Sequence, residues 1–354
     1  MKNRSLSSVF IACFFLLCLI PSLGMLVLGP SPLLANESAA RTPAFLDRDG
    51  KLNPDVLADT TDYMGSRFAL RPYLVSARSL LFERLFQSSA EDQVTLGLDG
   101  ELFYSSTLED YCGVGLEDAE LIRIVNHLAA IQSAVQQRGA DFLFVVAPNK
   151  NSVIPDEMPA RFPEDRAHAN YPRLLPLLEE AGIHTVDLCG LLSGHRELYY
   201  LTDSHWTPEG AAIAADAMLA ALGRETSYAA GPFSEEGLHV GDLYQMLYPI
   251  GRGREAELVY TPGLSYETAS DPRGGNAITI RTGASEGDGT LYCRRDSFGI
   301  ALYPYLADAF ASAEFSRSAD YSVEAFADLE ADTVILEIVE RNLPLLLPAE
   351  ESSP

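Results

Sequence analysis

The stretch DFLFVVAPNK, Asp141 to Lys150, sets the fold class. An unbroken apolar run, Phe142–Ala147, is closed by Pro148. That pattern fits a strand buried on both faces, as the strands of a parallel sheet are. Just upstream, Glu117–Arg138 reads as a helix. Leu121, Ile124, Val125, Leu128, Ile131 and Val135 fall on one stripe, and Gly139 is its stop. Downstream the rhythm repeats: a helix over Tyr171–Ala181 despite Pro176, a strand at Ile183–Leu188, and a helix opened by Thr207-Pro208-Glu209 and ended by Gly223. It resumes with a strand at Gly289–Arg295, a helix at Ser297–Phe310 kinked near Pro304, and a last buried strand at Asp332–Val339. Alternation of this kind predicts an α/β fold, a parallel sheet with helices on both faces. Ligands in such sheets bind beyond the carboxyl ends of the strands.

Ahead of this region, Tyr63–Phe86 reads as helical, with Leu70, Leu74, Ala77, Leu81 and Leu85 near helical spacing. VTLGLDGELFY, Val94–Tyr104, reads as two short strands around an Asp99-Gly100 turn. Residues 224–288, rich in Gly, Pro and charge, read as an insertion or small β-rich subregion. The expected organisation is therefore 1–30 membrane anchor or signal peptide, 31–90 tether and N-terminal helical segment, and 91–354 the main domain with its insertion at about 224–288.

The chain has 354 residues, 47% of them hydrophobic, and a net charge of −25. Acid spread along the whole length repels phosphate backbones, so no nucleic-acid partner is expected. Lys2 and Arg4 precede a run, Val9–Gly29, with no charge at all. As a helix it would span about 30 Å, enough to cross a bilayer with the basic end in the cytoplasm. An uncleaved anchor is the favoured reading. Pro21 and Gly24, which would interrupt the helix, and the small residues of SPLLANESAA (Ser31–Ala40) leave open cleavage and a secreted product. Of five cysteines, Cys13 and Cys18 lie in this run, leaving Cys112, Cys189 and Cys293. That odd set is no disulfide framework, though it permits one pair, and no Cys-x-x-Cys supports structural zinc.

Polar residues collect where strands end or helices begin: APNK (Ala147–Lys150), TDSHW (Thr202–Trp206), RRDSFG (Arg294–Gly299) and VERN (Val339–Asn342). In TDSHW, an extended chain would put Asp203 and His205 on one side, so that the acid fixes the imidazole tautomer and frees the other nitrogen as a base. The same residues also read as a turn Asp with a satisfied core histidine, or as a metal pair lacking a third ligand, with His195 placed too loosely to count. In RRDSFG, a strand feeds a sharp turn and exposes Ser297 at a helix start, where unpaired backbone N–H groups can hold an oxyanion. Helix capping by Asp296 or Ser297 is the plainer alternative.

Taken together, YYLTDSHWTPEGA (Tyr199–Ala211) and RRDSFG resemble the DHHW family of bacterial envelope proteins, related to the SGNH-hydrolase-like alginate O-acetyltransferases of the AlgX and AlgJ type. LGLDGELFY, VVAPNKNSVIPDEMP, GDLYQML (Gly241–Leu247) and LEIVERNL (Leu336–Leu343) resemble further blocks of that family. Ser204 stands where the name-giving second histidine would be. The resemblance implies a circularly permuted SGNH-hydrolase-like fold with Ser297 as nucleophile, His205 as base and Asp203 as its orienter. It also marks Asn149, Lys150, Arg341 and Trp206 as substrate-site candidates. Of these, Asn149 is expected at the oxyanion or substrate and Arg341 in charge support, with Trp206 under the histidine loop. Strand-end capping and salt bridging are the other readings of Asn149 and Arg341.

The implied activity is extracytoplasmic O-acetyl transfer through an acyl-serine to a cell-envelope or exported polysaccharide, with no cofactor and no metal. A membrane-bound acyltransferase would supply the acetyl groups. A basic groove around Arg294 and Arg295 would ease binding of an anionic glycan. An esterase or deacetylase with the same triad, and a non-catalytic glycan-binding scaffold, are the alternatives.

Overall fold

The computed structural model describes residues 2–34, 37, 40–47, 49–268, 279–284 and 286–348. The chain divides into two compact units, one of residues 1–95 with 240–253 and one of residues 96–239 with 254–354.

The first unit is helical: α1 (Lys2–Leu28), α2 (Val56–Arg67), α3 (Arg71–Phe86) and a short helix, Asp242–Leu247, that packs on α3. Pro21 and Gly24 do not interrupt α1, which runs unbroken through both. Val9, Phe10, Phe14, Leu19, Leu23 and Leu26 on α1 are all exposed. Counted over the described residues, no helix is long and apolar enough to cross a membrane. The side chains of residues 2–6, among them the Lys2 and Arg4 flank, and of Leu17, Cys18, Pro21 and Ser22 within α1, and part of the SPLLANESAA stretch, lie outside the described residues.

The single helix expected at Tyr63–Phe86 is two, because the chain turns at Leu70, whose φ of 66° is left-handed. The predicted apolar stripe is not the packed side of α3. Leu74, Leu81 and Leu85 are exposed, and Pro72, Ser76 and Ser79 are buried.

The hairpin of β1 (Val94–Leu96) and β2 (Leu102–Tyr104) turns where the sequence predicts. Asp99 and Gly100 both have positive φ, 48° and 90°, the geometry that Asp-Gly favours in a two-residue turn. Beyond it lies a seven-stranded sheet. Its strands are β3 (Asp141–Ala147), β4 (Thr185–Val186), β7 (Tyr266–Thr268), β8 (Thr279–Ala284), β9 (Thr290–Arg294), β10 (Ser312–Ser316) and β11 (Thr333–Val339), in the order β4-β3-β11-β9-β10-β8-β7. The five strands from β4 to β10 in that order run parallel. Phe142, Phe144 and Val146 of β3 point to one face, against the Asp118–Gln136 and Asn170–Glu180 helices. Leu143, Val145 and Ala147 point to the other, where the Pro208–Ala221 and Gly299–Ala309 helices lie. Burial on both faces explains the unbroken apolar run, and each fully buried Leu, Val or Phe contributes about 1.5–3 kcal/mol.

The purely parallel sheet is corrected at one edge. β8 pairs antiparallel with β10, and β7 antiparallel with β8, so the sheet is mixed. Two strands of the segment 224–288, β7 and β8, therefore belong to the main sheet. Only β5 (Phe233–His239) and β6 (Glu255–Tyr260) form a separate two-stranded ribbon. β10 went unread because SAEFS carries just Ala313 and Phe315 as apolar residues. The strand at Ile183–Leu188 shrinks to β4 because a helix, Leu188–Leu192, begins at once, capped by Asp187 accepting from the Gly190 amide.

Cys112, Cys189 and Cys293 are free thiols. Burial pushes the Cys189 thiol up to about 12, so it stays neutral at ordinary pH.

Candidate functional site

In register, Val339 of β11 lies beside Ala147 of β3 and Leu336 beside Arg294 of β9. The residues after these strands therefore leave one edge of the sheet together. They meet a loop pinched at its base by a bridge between Tyr199 and Trp206 and by the Thr207 amide donating to the Leu198 carbonyl at 2.8 Å. Thr207 then caps the Pro208–Ala221 helix through the Gly210 amide. Gly210 is required here for closeness, since a Cβ would lie 2.5 Å from the Leu198 carbonyl oxygen.

Asp203 and His205 do meet, though not as neighbours on an extended chain. The segment bends, and Asp203 Oδ1 accepts both the His205 amide (3.0 Å) and His205 Nδ1 (2.6 Å). An ionised carboxylate only accepts, so Nδ1 carries the proton and Nε2 is the unprotonated nitrogen. Nε2 lies 2.9 Å from Ser297 Oγ. The Asp203 side chain is 9% exposed and that of His205 26%, so the line runs from a buried acid to an accessible imidazole.

Two charges hold the loop, the buried Lys150 and the half-buried Glu255. Lys150 Nζ donates to the carbonyls of Leu102 (2.9 Å), Tyr200 (2.7 Å) and Leu201 (2.8 Å) and pairs with Glu101 at 2.5 Å. Glu255 takes the amides instead, Leu201 at 2.5 Å and Thr202 at 2.8 Å, with the Thr202 hydroxyl at 2.5 Å. One cation thus binds the loop's carbonyls and one anion its N–H groups.

The serine turn is pinned just as tightly. Asp296 Oδ1 accepts the Phe298 amide at 2.9 Å, and Oδ2 accepts the Val339 amide at 2.7 Å, tying the turn to the end of β11. Beneath it, Glu337 is fully buried and accepts the Asp296 amide at 3.0 Å. Burial pushes its carboxyl well above the usual range, and the neighbouring Asp296 adds to this. The His205 ring rests on Phe298 at 4.7 Å between centroids.

The four substrate-site candidates part company. Trp206 is 1% exposed, lies edge-on to Phe298 and donates its N–H to the Phe298 carbonyl, so it is a floor under the site and offers no surface to a substrate. Lys150 is 4% exposed and fully engaged with the loop, and burial lowers its pKa even against the pull of Glu101. Asn149 is buried at the end of β3, its backbone amide donating to Glu340 at 2.8 Å, while its side-chain oxygen has no hydrogen-bond partner among the described residues. Arg341 stays near the site. Its guanidinium lies over the rings of Tyr104 (5.3 Å) and Phe298 (5.5 Å) and makes no hydrogen bond or ion pair among the described residues.

The expected basic groove is absent at Arg294 and Arg295. Both are buried, Arg294 over Tyr292 and Phe326 with a hydrogen bond to the Ser318 carbonyl, and Arg295 donating to the Asp296 carbonyl. His195, the loose candidate for a metal ligand, is exposed and bonded to Glu197 at 3.0 Å.

Sequence reasoning missed a second histidine. His239, the last residue of β5, reaches Asp203 Oδ2 with Nε2 (3.0 Å) and Glu257 of β6 with Nδ1 (2.6 Å). Its ring stacks on Tyr200 at 3.7 Å and 5°. Burial works against its charge, but the hydrogen bonds to Asp203 and Glu257 outweigh that and carry the imidazole up to about 9. Glu340 was missed as well. Burial pushes its carboxyl up to about 7 despite hydrogen bonds from Ser152 and the Asn149 amide. His239 lies just before the GDLYQML block and Glu340 inside VERN, but nothing in either block marked the residue itself.

Comparisons with known proteins agree with the fold. A family model described as an SGNH hydrolase-like domain of acetyltransferase AlgX matches residues 94–257. The "Probable alginate O-acetylase AlgJ" of Pseudomonas aeruginosa is 30% identical over 166 residues, 44% of this chain and 41% of that protein. Its Pseudomonas putida counterpart is 24% identical over 208 residues, 58% of this chain and 52% of that protein. The chain thus spans about two fifths to a half of the length of these curated relatives. Among solved structures, a DHHW family protein from Eubacterium siraeum superposes with a TM-score of 0.53 at 15% identity, covering 71% of this chain and 91% of that one. PatB1 of Bacillus cereus superposes with a TM-score of 0.52 at 16% identity, covering 66% of this chain and 94% of that one. The chain carries an SGNH hydrolase-like α/β fold with a mixed sheet, similar over residues 94–257 to the AlgX-type domain and sharing its fold with the DHHW family protein and PatB1.

Proposed function

We propose that this chain is an extracytoplasmic O-acetyltransferase that carries an acetyl group on Ser297 and passes it to a hydroxyl of a polysaccharide. The observation that supports this most is the unbroken line from Asp203 through His205 to the Ser297 hydroxyl, at 2.6 and 2.9 Å. In the first step Ser297 Oγ attacks the acetyl carbonyl, its proton moves to His205 Nε2, and the leaving group departs with that proton. In the second, a sugar hydroxyl gives its proton to the same nitrogen and takes the acetyl, and that proton returns to Ser297 Oγ as its bond to the acetyl breaks. Asp203 holds the ring and balances the imidazolium formed in each step. The amides opening the Gly299–Ala309 helix and the side chain of Asn149 are the proposed oxyanion donors. Arg341, a cation held on two aromatic faces, is proposed to meet the substrate. No cofactor enters either step.

Relatives named as probable alginate O-acetylases support a polysaccharide acceptor. A membrane-bound acyltransferase is proposed as the source of the acetyl groups. α1 is proposed as the anchor, since the apolar side chains exposed on it between Val9 and Leu28 suit lipid. The partial exposure of His205 lets water compete with the sugar, which keeps an esterase as the second reading. The two are told apart by product analysis of the full chain in detergent, given an activated acetate ester with and without oligosaccharides. Acetylated sugar formed only with intact Ser297 supports the transferase. Free acetate alone, at a rate indifferent to every sugar offered, supports the esterase.

A further inference from the structure

We infer that His239 is a positioning residue of this site, holding the second oxygen of Asp203 as a doubly protonated imidazolium braced by Glu257. The inference rests on the serine reading proposed above. Its ground is hydrogen-bond accounting. Each ring nitrogen of His239 faces a carboxylate oxygen, Asp203 Oδ2 at 3.0 Å and Glu257 Oε2 at 2.6 Å. Carboxylates offer no proton, so both nitrogens must carry one, and the ring is a cation. The charged and titratable groups facing it are Asp203 and Tyr200 from the loop and Glu257 from β6. Glu255, two residues before Glu257, is turned to the amides of Leu201 and Thr202. The raised pKa of about 9 agrees with this state at neutral pH.

The arrangement fixes both ends of Asp203. Oδ1 serves His205, and Oδ2 is held by His239, so the carboxylate cannot turn away from the base. It also sets the charge. Asp203, Glu257 and His239 sum to one negative charge while His205 is neutral, and to zero once His205 accepts the serine proton. The reaction thus moves one proton into a cluster whose other members keep theirs. The β5–β6 ribbon, which stands outside the main sheet, thereby gains a role at the site, since it carries both halves of the brace.

The test compares the full chain in detergent with His239→Gln, Glu257→Gln and Ser297→Ala, measuring hydrolysis of an activated acetate ester from pH 5 to 10. The wild type is expected to lose rate as pH rises through about 9. His239→Gln should lower kcat roughly tenfold to a hundredfold with KM within about twofold, the loss of one charge-assisted bond to the orienting acid. Its alkaline fall should vanish, and its acid limb should move to higher pH because a positive charge beside Asp203 is gone. Glu257→Gln should keep the alkaline fall but bring it to lower pH, an effect that a purely structural role for the ribbon would not produce. Nitrogen-15 histidine spectra of the wild type give a readout that needs neither activity nor a variant. They should show both nitrogens of His239 protonated at neutral pH. A neutral His239 at pH 7 overturns the inference. So does a His239→Gln enzyme with wild-type kcat and profile beside an inactive Ser297→Ala, which would leave the serine reading standing. A fully active Ser297→Ala overturns the serine reading and this inference with it.

Discussion

Replacing Lys150 with Met keeps the aliphatic stem and deletes the ammonium that grips the histidine loop. The structure sets the scale. The change removes donors from three backbone carbonyls and the partner from one face of Glu101. Breaking a buried pair on one side typically costs about 3–5 kcal/mol. Arg196 Nε still meets Glu101 at 2.6 Å and offsets part of this, so the lower end, about 3 kcal/mol, is expected. In a unit of this size, each kcal/mol shifts the melting temperature by about 2–4 °C, which puts the loss at about 6–12 °C. The loop carries Asp203 and His205, so a displacement of about 1 Å would lower kcat about a hundredfold even in the folded fraction. Thermal unfolding and acetate-ester turnover of the same preparation read both numbers. A variant that melts within about 2 °C of wild type and keeps kcat within about twofold would refute the reasoning, because Lys150 would then be neither clamp nor support.

Asp203→Asn should leave the fold in place and lower kcat about ten-thousandfold, as the wrong tautomer of His205 is then favoured; ester turnover measures it. Gly210→Ala forces a methyl to within 2.5 Å of the Leu198 carbonyl and should cost about 1–3 kcal/mol, read by urea unfolding. Glu340 has a folded pKa of about 7, above its unfolded value, so its contribution is full below about pH 4.5 and is lost as pH rises toward and through 7. Glu340→Gln should therefore flatten the stability profile across that window, by about 3 kcal/mol at its upper end, in unfolding curves taken from pH 4 to 8.

The legible parts of the fold are those where local pattern and tertiary role coincide. β3, β11 and the Asp118–Gln136 helix were readable because burial on two faces, or on one stripe, writes itself into consecutive residues. β10 and the antiparallel strands beside it were not, since SAEFS offers only two apolar residues and strand direction follows from connections that composition does not reveal. Leu74, Leu81 and Leu85 show the opposite failure. Their spacing is right for a packed face, yet the face that packs carries Ser76 and Ser79. At the site, Asp203 and His205 were found through their separation of two, although a bend rather than an extended strand joins them. Ser297 needed the resemblance, because ninety-odd residues of chain carry no distance information. Lys150 and Arg295 look like ligand-binding cations in sequence. Burial turns each into an internal prop, and no pattern in one sequence reports that. His239 was invisible for the same reason: its partners lie on another strand and a distant loop.

The central claim is that the Ser297 hydroxyl and the His205 imidazole act as one unit. The most direct measurement is intact-mass and peptide analysis of the full chain, quenched with acid during exposure to an activated acetate ester. One acetyl group on the peptide containing Ser297, missing from Ser297→Ala and sharply reduced in His205→Ala, is the predicted result. Acetate released at full rate with Ser297 unmodified, or an adduct indifferent to His205, would contradict it.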